Sequence, residues 1–379
     1  MIYFDNAATT VVYDEVIEEM IPYFKNEYAN PSGMYDFATK SRKVMNDARK
    51  EIAKLINAEP TEIYFTSGGS ESDNFALKGT CFALKNKGKH IITSNIEHHA
   101  VLNTCKQLEK LGYRITYIPV NKDGIIEPER IEKAICSETI LISIMSSNNE
   151  IGTIQPINEI GQIARKNNVL FHTDAVQSFC HIEIDVKKSN IDMLSASAHK
   201  CNGPKGIGFI YIRNGIKPFS LINGGKQERN MRAGTENIPA IAGFKKAVEI
   251  YKQKEYFNSS YITKIRNHFI KRLTDEIDGC IINGSVEKRL PGNVNVSFAG
   301  VSGESVLIQL DRQGICCSTG SACDAGVTNI SHVIEAINTP DEYAAGTLRF
   351  TFSDLNTIEE ADITINALKE IITGLRAMK

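Results

Sequence analysis

The chain has 379 residues, 42% of them hydrophobic and 23% charged, with 43 basic against 45 acidic side chains and a formal charge of −2. That content excludes a disordered or collagen-like polymer, and the near balance of charge gives no electrostatic ground for nucleic acid as a partner. No apolar run approaches the roughly eighteen residues of a membrane span, and Met1-Ile2-Tyr3-Phe4-Asp5 lacks the basic lead and apolar core of a secretion signal, so the expectation is a mature cytoplasmic chain with no membrane contact.

Along the chain, Val44, Ala48, Ile52 and Leu55 fall on one face of a charged segment, which predicts a helix over 37–56. Glu62-Ile63-Tyr64-Phe65-Thr66 reads as a short strand that passes through Ser67-Gly68-Gly69-Ser70 into a second helical stretch. Strand-like runs recur at 90–94, 113–118, 140–145, 169–173, 191–195 and 207–212, with helix-compatible segments at 98–110, 128–136 and 156–166. Such alternation predicts an α/β fold with a mostly parallel sheet covered on both faces, whose ligands sit beyond the carboxyl ends of the strands. Near 240 the character changes. A helical region at 240–278 carries the stripe Tyr261, Ile265, Phe269 and Leu273, and strands near 294–298 and 347–352 and helices at 303–312 and 358–375 follow. The expected division is a large domain over 11–249 and a smaller α+β domain made from 1–10 and 250–379, with a loop at about 316–330.

Nine cysteines stand at 81, 105, 136, 180, 201, 280, 316, 317 and 323. An odd, scattered set without a Cys-x-x-Cys pair is neither a secreted disulfide framework nor a structural metal site, and it suits a reducing compartment.

The polar residues after each strand carry the chemistry. Thr66-Ser67-Gly68-Gly69-Ser70 joins a strand end to a helix start, where glycines allow a tight turn, Ser70 can cap the helix and free N–H groups can cradle a single phosphate; a plain capped turn is the alternative. His98 follows the next strand and offers a ring to stack on a planar cofactor or to move a proton, and Asn148 or Asn149 follows the strand at 140–145 and can bond a ring oxygen. Asp174 ends an apolar strand, where an unpaired carboxylate is expensive to bury. A protonated heterocyclic nitrogen would satisfy it, and so would a capping role for a helix starting at Ala175. Lys200, in Ser197-Ala198-His199-Lys200, is set at a strand terminus and is a candidate covalent amine with hydroxyl neighbours suited to phosphate. A phosphate cradle, a carboxylate for a ring nitrogen, a stacking ring and an amine together fit pyridoxal phosphate better than other cofactors. Two later residues complete the set. Cys323 lies among small residues in Gly320-Ser321-Ala322-Cys323-Asp324-Ala325-Gly326, surroundings suited to a thiol that must approach a bound substrate. Arg349 lies in a strand pattern and suits either a substrate carboxylate or a structural salt bridge.

With these motifs in hand, the chain resembles the NifS/IscS-type cysteine desulfurases, a branch of the class V aminotransferase-like enzymes. The resemblance runs from Tyr3-Phe4-Asp5-Asn6-Ala7-Ala8-Thr9-Thr10 to the C-terminal helix, with specific blocks at Thr66-to-Asn74, Asn148-to-Gly152, His172-to-Gln177, Ser197-to-Gly208 and Ser321-Ala322-Cys323. It implies a fold-type I pyridoxal-phosphate homodimer that turns L-cysteine into alanine and passes sulfur to an iron–sulfur scaffold or another acceptor protein. Carried over by position, Lys200 matches the lysine that bears the cofactor, Asp174 the partner of the ring nitrogen, and His98 the stacking histidine active in proton transfer. Gln177 and Asn149 match groups near the ring oxygen; Gly69, Ser70, Ser197 and His199 match the phosphate site, with Thr235 reaching in from the other subunit. Asn30 and Arg349 match the substrate-carboxylate clamp, and Cys323 the persulfide-forming cysteine. Tyr35 where members carry histidine, and Asp324 beside the cysteine, depart from the pattern. A selenocysteine lyase, an aminotransferase and a non-catalytic scaffold partner are the competing functions.

Overall fold

The computed structural model describes residues 1–319 and 330–378, with the side chains of 255–258 set aside. Its strands, in chain order, are β1 (Ile2–Tyr3), β2 (Ile63–Thr66), β3 (His90–Ser94), β4 (Arg114–Ile118), β5 (Thr139–Ser143), β6 (Leu170–Asp174), β7 (Met193–Ser197), β8 (Gly208–Ile212), β9 (Cys280–Ile282), β10 (Asn293–Phe298), β11 (Ile315–Cys316) and β12 (Thr347–Thr351). Seven form one sheet in the order β2-β8-β7-β6-β5-β3-β4. Pairing is parallel from β7 through β6, β5 and β3 to β4, while β8 runs antiparallel to both β7 and β2. The link from β7 to β8, residues 198–207, is too short for the crossover a parallel pair requires, so β8 must return alongside its predecessor. Because β8 reverses the direction, β2 points the same way as the five parallel strands. All six therefore present their carboxyl ends at one edge.

Successive residues of these strands are buried in opposite cores, as a sheet covered on both faces demands. Ile92, Ile142, Leu194, Phe209 and Tyr211 enter one core with Val44, Ala48 and Ile52 of the helix Thr39–Leu55 and with Ile241, Phe244 and Val248. Their chain neighbours Ile91, Leu141, Met193, Ile210 and Ile212 enter the opposite core with Phe75, Leu77, Val101 and Leu108. A second sheet, β12-β10-β9, is antiparallel and packs Val294, Val296, Phe298, Leu348 and Phe350 against Ile265, Phe269 and Leu273 and against Ile365 and Leu368 of the C-terminal helix Ile358–Ala377. Phe4 lies in the same core, its ring 4.8 Å from that of Phe352. The helix Ile238–Glu276 runs through both regions, with Phe244 in the first core and Phe269 in the second. β1 pairs with β11, Ile2 opposite Ile315 and Tyr3 opposite Cys316.

One buried ion pair holds an irregular segment to this frame. Glu228, Arg229 and Asn230 have φ of 44°, 57° and 66°, a left-handed run that L residues adopt at a cost. Arg49 grips Glu228 through both guanidinium nitrogens at 2.8 and 2.6 Å and donates to the Ile63 carbonyl at 2.7 Å. Glu228 in turn accepts from the Phe65 N–H at 2.8 Å, and Arg229 also donates to the Ile63 carbonyl. Replacing Arg49 with Leu leaves the Glu228 charge buried and alone, which costs about 3–5 kcal/mol. Urea denaturation of R49L should read that loss; a change below about 1 kcal/mol, as at a surface pair, would deny the pair its structural role.

Candidate active site

The common strand edge collects the groups singled out above. β2 leads through Gly68, whose φ of 154° with ψ of −175° is open only to glycine, into a helix that starts at Gly69 and continues through a π-turn at Phe75–Gly79 to Ala83. Gly68, not Ser70, occupies the cap position, and no side chain caps this helix. β3 ends ahead of Glu97 and His98, β5 ahead of Asn148 and Asn149, β6 at Asp174, and β7 ahead of His199 and Lys200. A cavity of about 290 Å³ opens among them, lined by Gly69, Ser70, His98, Asn149, Asp174 and Gln177 and, from β7 and beyond, by Ser197, His199, Lys200 and Arg349.

Asp174 is 6% exposed, and its Oδ1 accepts the Val176 N–H at 2.9 Å. The residues after it form turns, not the helix from Ala175 that a capping role would need. No lysine or arginine among the described residues pairs with it. Burial pushes its pKa up, an effect that His98, the Val176 N–H and Lys200 partly oppose. His98 accepts the Ala100 N–H on Nδ1 at 3.1 Å, which caps the helix His99–Lys110, and burial lowers its pKa, so the ring is neutral with its proton on Nε2. Below the cavity, Glu97 accepts from Ser94 Oγ and the Met145 N–H, and burial pushes it up to about 8.

Lys200 Nζ donates to the carbonyls of Ala7 and Ala8. Gln177 Nε2 donates to the Ala7 carbonyl at 3.0 Å, and the His199 ring bonds Thr9 Oγ1 at 3.2 Å, so the N-terminal block is part of the site wall. A Cβ on Gly69 would stand 2.5 Å from Val176 Cγ2, which shows how tightly the turn after β6 closes on the cradle. The donor set fits pyridoxal phosphate: a buried acid in no ion pair with a lysine or arginine among the described residues, an amine, and at the remaining wall a helix start with the Ser70 and Ser197 hydroxyls.

Arg349 is 3% exposed and donates to Asp5 Oδ1 at 2.7 Å and to the Asn149 carbonyl at 3.0 Å. Its Nε–H is buried without an acceptor among the described residues, so the guanidinium meets a structural carboxylate and still has a donor for a ligand. Asp5 was not anticipated, because it stands 344 positions away. Asn148 and Asn149 divide their work: Asn148 is buried and bonds the Ile96 carbonyl and the N–H groups of Glu150 and Ile151, whereas Asn149 lines the cavity. Asn30 is exposed, accepts the Ser32 N–H and does not line the cavity. Thr235 is exposed and also outside it. Cys323 and Asp324 lie outside the described residues. Asp73, 1% exposed on the wall of the cavity, escaped the sequence reading because it resembles any polar residue in the first turns of a helix.

The fold and the donor set are those of a pyridoxal-phosphate enzyme. The family model for aminotransferase class-V matches residues 2–363. Cysteine desulfurase IscS of Methanosarcina thermophila is 50% identical over 377 residues, all of this chain and 93% of that one. Among solved structures, a NifS-like protein superposes with a TM-score of 0.93 at 37% identity, covering 98% of this chain and 99% of its own. SspA in complex with cysteine superposes at 0.84 with 39% identity, over 94% of this chain and 100% of its own. The chain belongs to the class V aminotransferase family and, within it, to the cysteine desulfurases.

A carboxyl with a raised native pKa costs stability wherever the unfolded chain would ionise it, above the ordinary carboxylate range, and costs nothing below that range. Asp174→Asn should therefore raise the unfolding temperature of cofactor-free protein at pH 7 and leave it unchanged at pH 3, while weakening cofactor retention by at least about tenfold. Calorimetry and equilibrium dialysis test the two halves; tight retention by D174N would remove Asp174 from the ring-nitrogen role.

Proposed function

We propose that this chain converts L-cysteine to L-alanine and captures the sulfur as a persulfide on Cys323, for delivery to an acceptor protein serving iron–sulfur cluster assembly or tRNA thiolation. The observation that carries the reading is the buried Asp174 carboxylate, with no lysine or arginine ion pair among the described residues, in one cavity with the Lys200 amine. The likeness to SspA in complex with cysteine supports the substrate. When bound, pyridoxal phosphate supplies an aldehyde that joins amines and a cationic ring that accepts the electron pair left by a departing proton.

The chain's own groups do the rest. Asp174 holds the ring nitrogen in its protonated form, and Lys200 bears the cofactor and then removes and returns the proton at the substrate α-carbon. His98, neutral with its Nε2–H at the cavity, manages the proton of the substrate thiol. The Arg349 guanidinium, oriented by Asp5 and the Asn149 carbonyl, presents to the substrate carboxylate the Nε–H that has no acceptor among the described residues; Asn30, the second clamp by resemblance, lies outside the cavity and must swing in to join it. Gly69, Ser70, Ser197 and His199 hold the phosphate, and Gln177 and Asn149 address the ring oxygen. Cys323 as thiolate forms the new S–S bond as the substrate Cβ–S bond breaks. The carbon takes the electron pair and a proton, and alanine leaves.

The same reading makes the protein a cytoplasmic homodimer, with Thr235 lending its hydroxyl to the partner's phosphate site. Exposed Phe24, Tyr28 and Phe219 give apolar surface for a second copy. Every cysteine among the described residues is a free thiol, as a reducing compartment allows, and none of their helices is long and apolar enough to cross a membrane. The proposed domain division is 11–249 against 1–10 with 250–379, although Val333, Ile334, Ile337 and Ala344 of the second part pack into the core of the first.

Lys200→Ala should abolish the visible absorbance of the bound cofactor. Cys323→Ser should keep that absorbance and lose protein-bound persulfide on incubation with L-cysteine, followed by sulfane-sulfur and alanine assays. Full-rate release of alanine and sulfide by C323S would transfer the nucleophile's role elsewhere.

A further inference from the structure

The site contains a carboxyl that the steps above leave unused. Asp73, in the helix that starts at Gly69, is 1% exposed and lines the cavity, and its Oδ1 has no hydrogen-bond partner among the described residues. A carboxyl oxygen of Asp73, one of Asp174 and a ring nitrogen of His98 lie within 4.8 Å of one another. Among the described residues, the elements packed around this helix supply the charged and titratable groups that Asp73 faces. β6 brings Asp174 and His172, the entry to the helix His99–Lys110 brings Glu97 and His98, and the turn after β7 brings Lys200. The preceding residue, Ser72, ties this helix to neutral groups of β2 and β8, Thr66 Oγ1 and the Phe209 carbonyl, and the Ser195 hydroxyl of β7 bonds the His172 ring at 3.0 Å.

Lys200 eases the Asp174 charge from across the cavity, but no lysine or arginine among the described residues forms an ion pair with Asp73 or Asp174. The His172 ring nitrogens bond the hydroxyls of Ser143 at 2.9 Å and Ser195 at 3.0 Å, and burial pushes its pKa down to about 3, so it is neutral; its Nε2 is 3.7 Å from Asp73 Oδ1, beyond hydrogen-bond length. Lys200 is engaged by the Ala7 and Ala8 carbonyls. Asp174, by contrast, receives a backbone N–H from Val176. Two ionised carboxylates this close in a water-poor site repel strongly, and one proton resolves the conflict. It belongs on the oxygen that has no donor.

We propose that Asp73 and Asp174 form a carboxyl pair carrying one negative charge, with the proton resident on Asp73 and the charge left to Asp174. Asp73 is thus a positioning residue: it fixes the ionisation of the acid that faces the cofactor ring. The inference rests on the reading of Asp174 given above.

The first test uses cofactor-free protein. The infrared spectrum of wild type minus D73N at pH 7 should contain the carbonyl stretch of one un-ionised carboxylic acid, shifted by deuteration; Glu97 is common to both proteins and cancels. Burial and the Asp174 charge raise the Asp73 pKa, so the acid costs stability that is absent at pH 3 and grows as pH climbs past the unfolded value. D73N should therefore unfold level with wild type at pH 3 and above it at pH 8. A carboxylate band in the difference spectrum, or a D73N protein that fails to fold or unfolds below wild type at pH 8, overturns the proposal. In the loaded protein, D73N should keep the visible absorbance and retain cofactor within about threefold of wild type, a margin under 1 kcal/mol. If D174N also retains cofactor, the reading of Asp174 fails, while the infrared result decides the shared charge independently.

Discussion

A carboxylate at the end of β6 sits where the folded chain gives it too little solvent to be comfortable with its charge, and the remaining geometry is arranged about that conflict. The apolar layers on both faces of the seven-stranded sheet are what dry the strand ends, and the same layers fix where those ends fall. Reversal of β8 matters in this light, because it lets β2 arrive at the edge in the same sense as β6 and β7 and set its glycine turn beside Val176. Local discomfort at a functional edge, compensated by consistent packing elsewhere, is the usual signature of a site built for a ligand.

The turn on the cradle side is secured by charge as well as by packing. Arg232 bonds Glu71 at 2.8 and 3.1 Å, and Glu71 accepts the Ser67 N–H at 2.9 Å, so the segment near Thr235 and the phosphate turn share one clasp. Arg49 and Glu228 form a second, deeper one. Between them the left-handed run at 228–230 is over-determined, which is how backbone strain of about 1–3 kcal/mol per residue persists.

Much of this was legible before any coordinates. Period-two and helical spacings located the sheet strands to within a residue or two, because long, strongly apolar segments leave little choice. Reading the polar residues after each strand found Asp174, His98 and Lys200, since parallel sheets bind at that edge. What stayed hidden depended on distance or on local ambiguity. The Arg349–Asp5 pair joins residues at opposite ends of the chain, and no spacing rule reaches so far. Asn148 and Asn149 are indistinguishable in sequence, and only the turn decides which one bonds backbone and which one faces the cavity. The helix Asp14–Lys25, with Pro22 inside it and Ile17, Ile21 and Phe24 exposed, lacks the buried stripe that announces a helix. β9 is too short to show alternation at all.

The helix Ile238–Glu276 gives one last consequence. Its early turns are seated under the large sheet and its late turns under the small one, so one continuous rod belongs to two interiors. Cutting the chain anywhere along it would strip apolar surface from both halves at once. Melting of either interior must then tug on the other, and the two share a thermodynamic fate even though, among the described residues, their sheets share no strand.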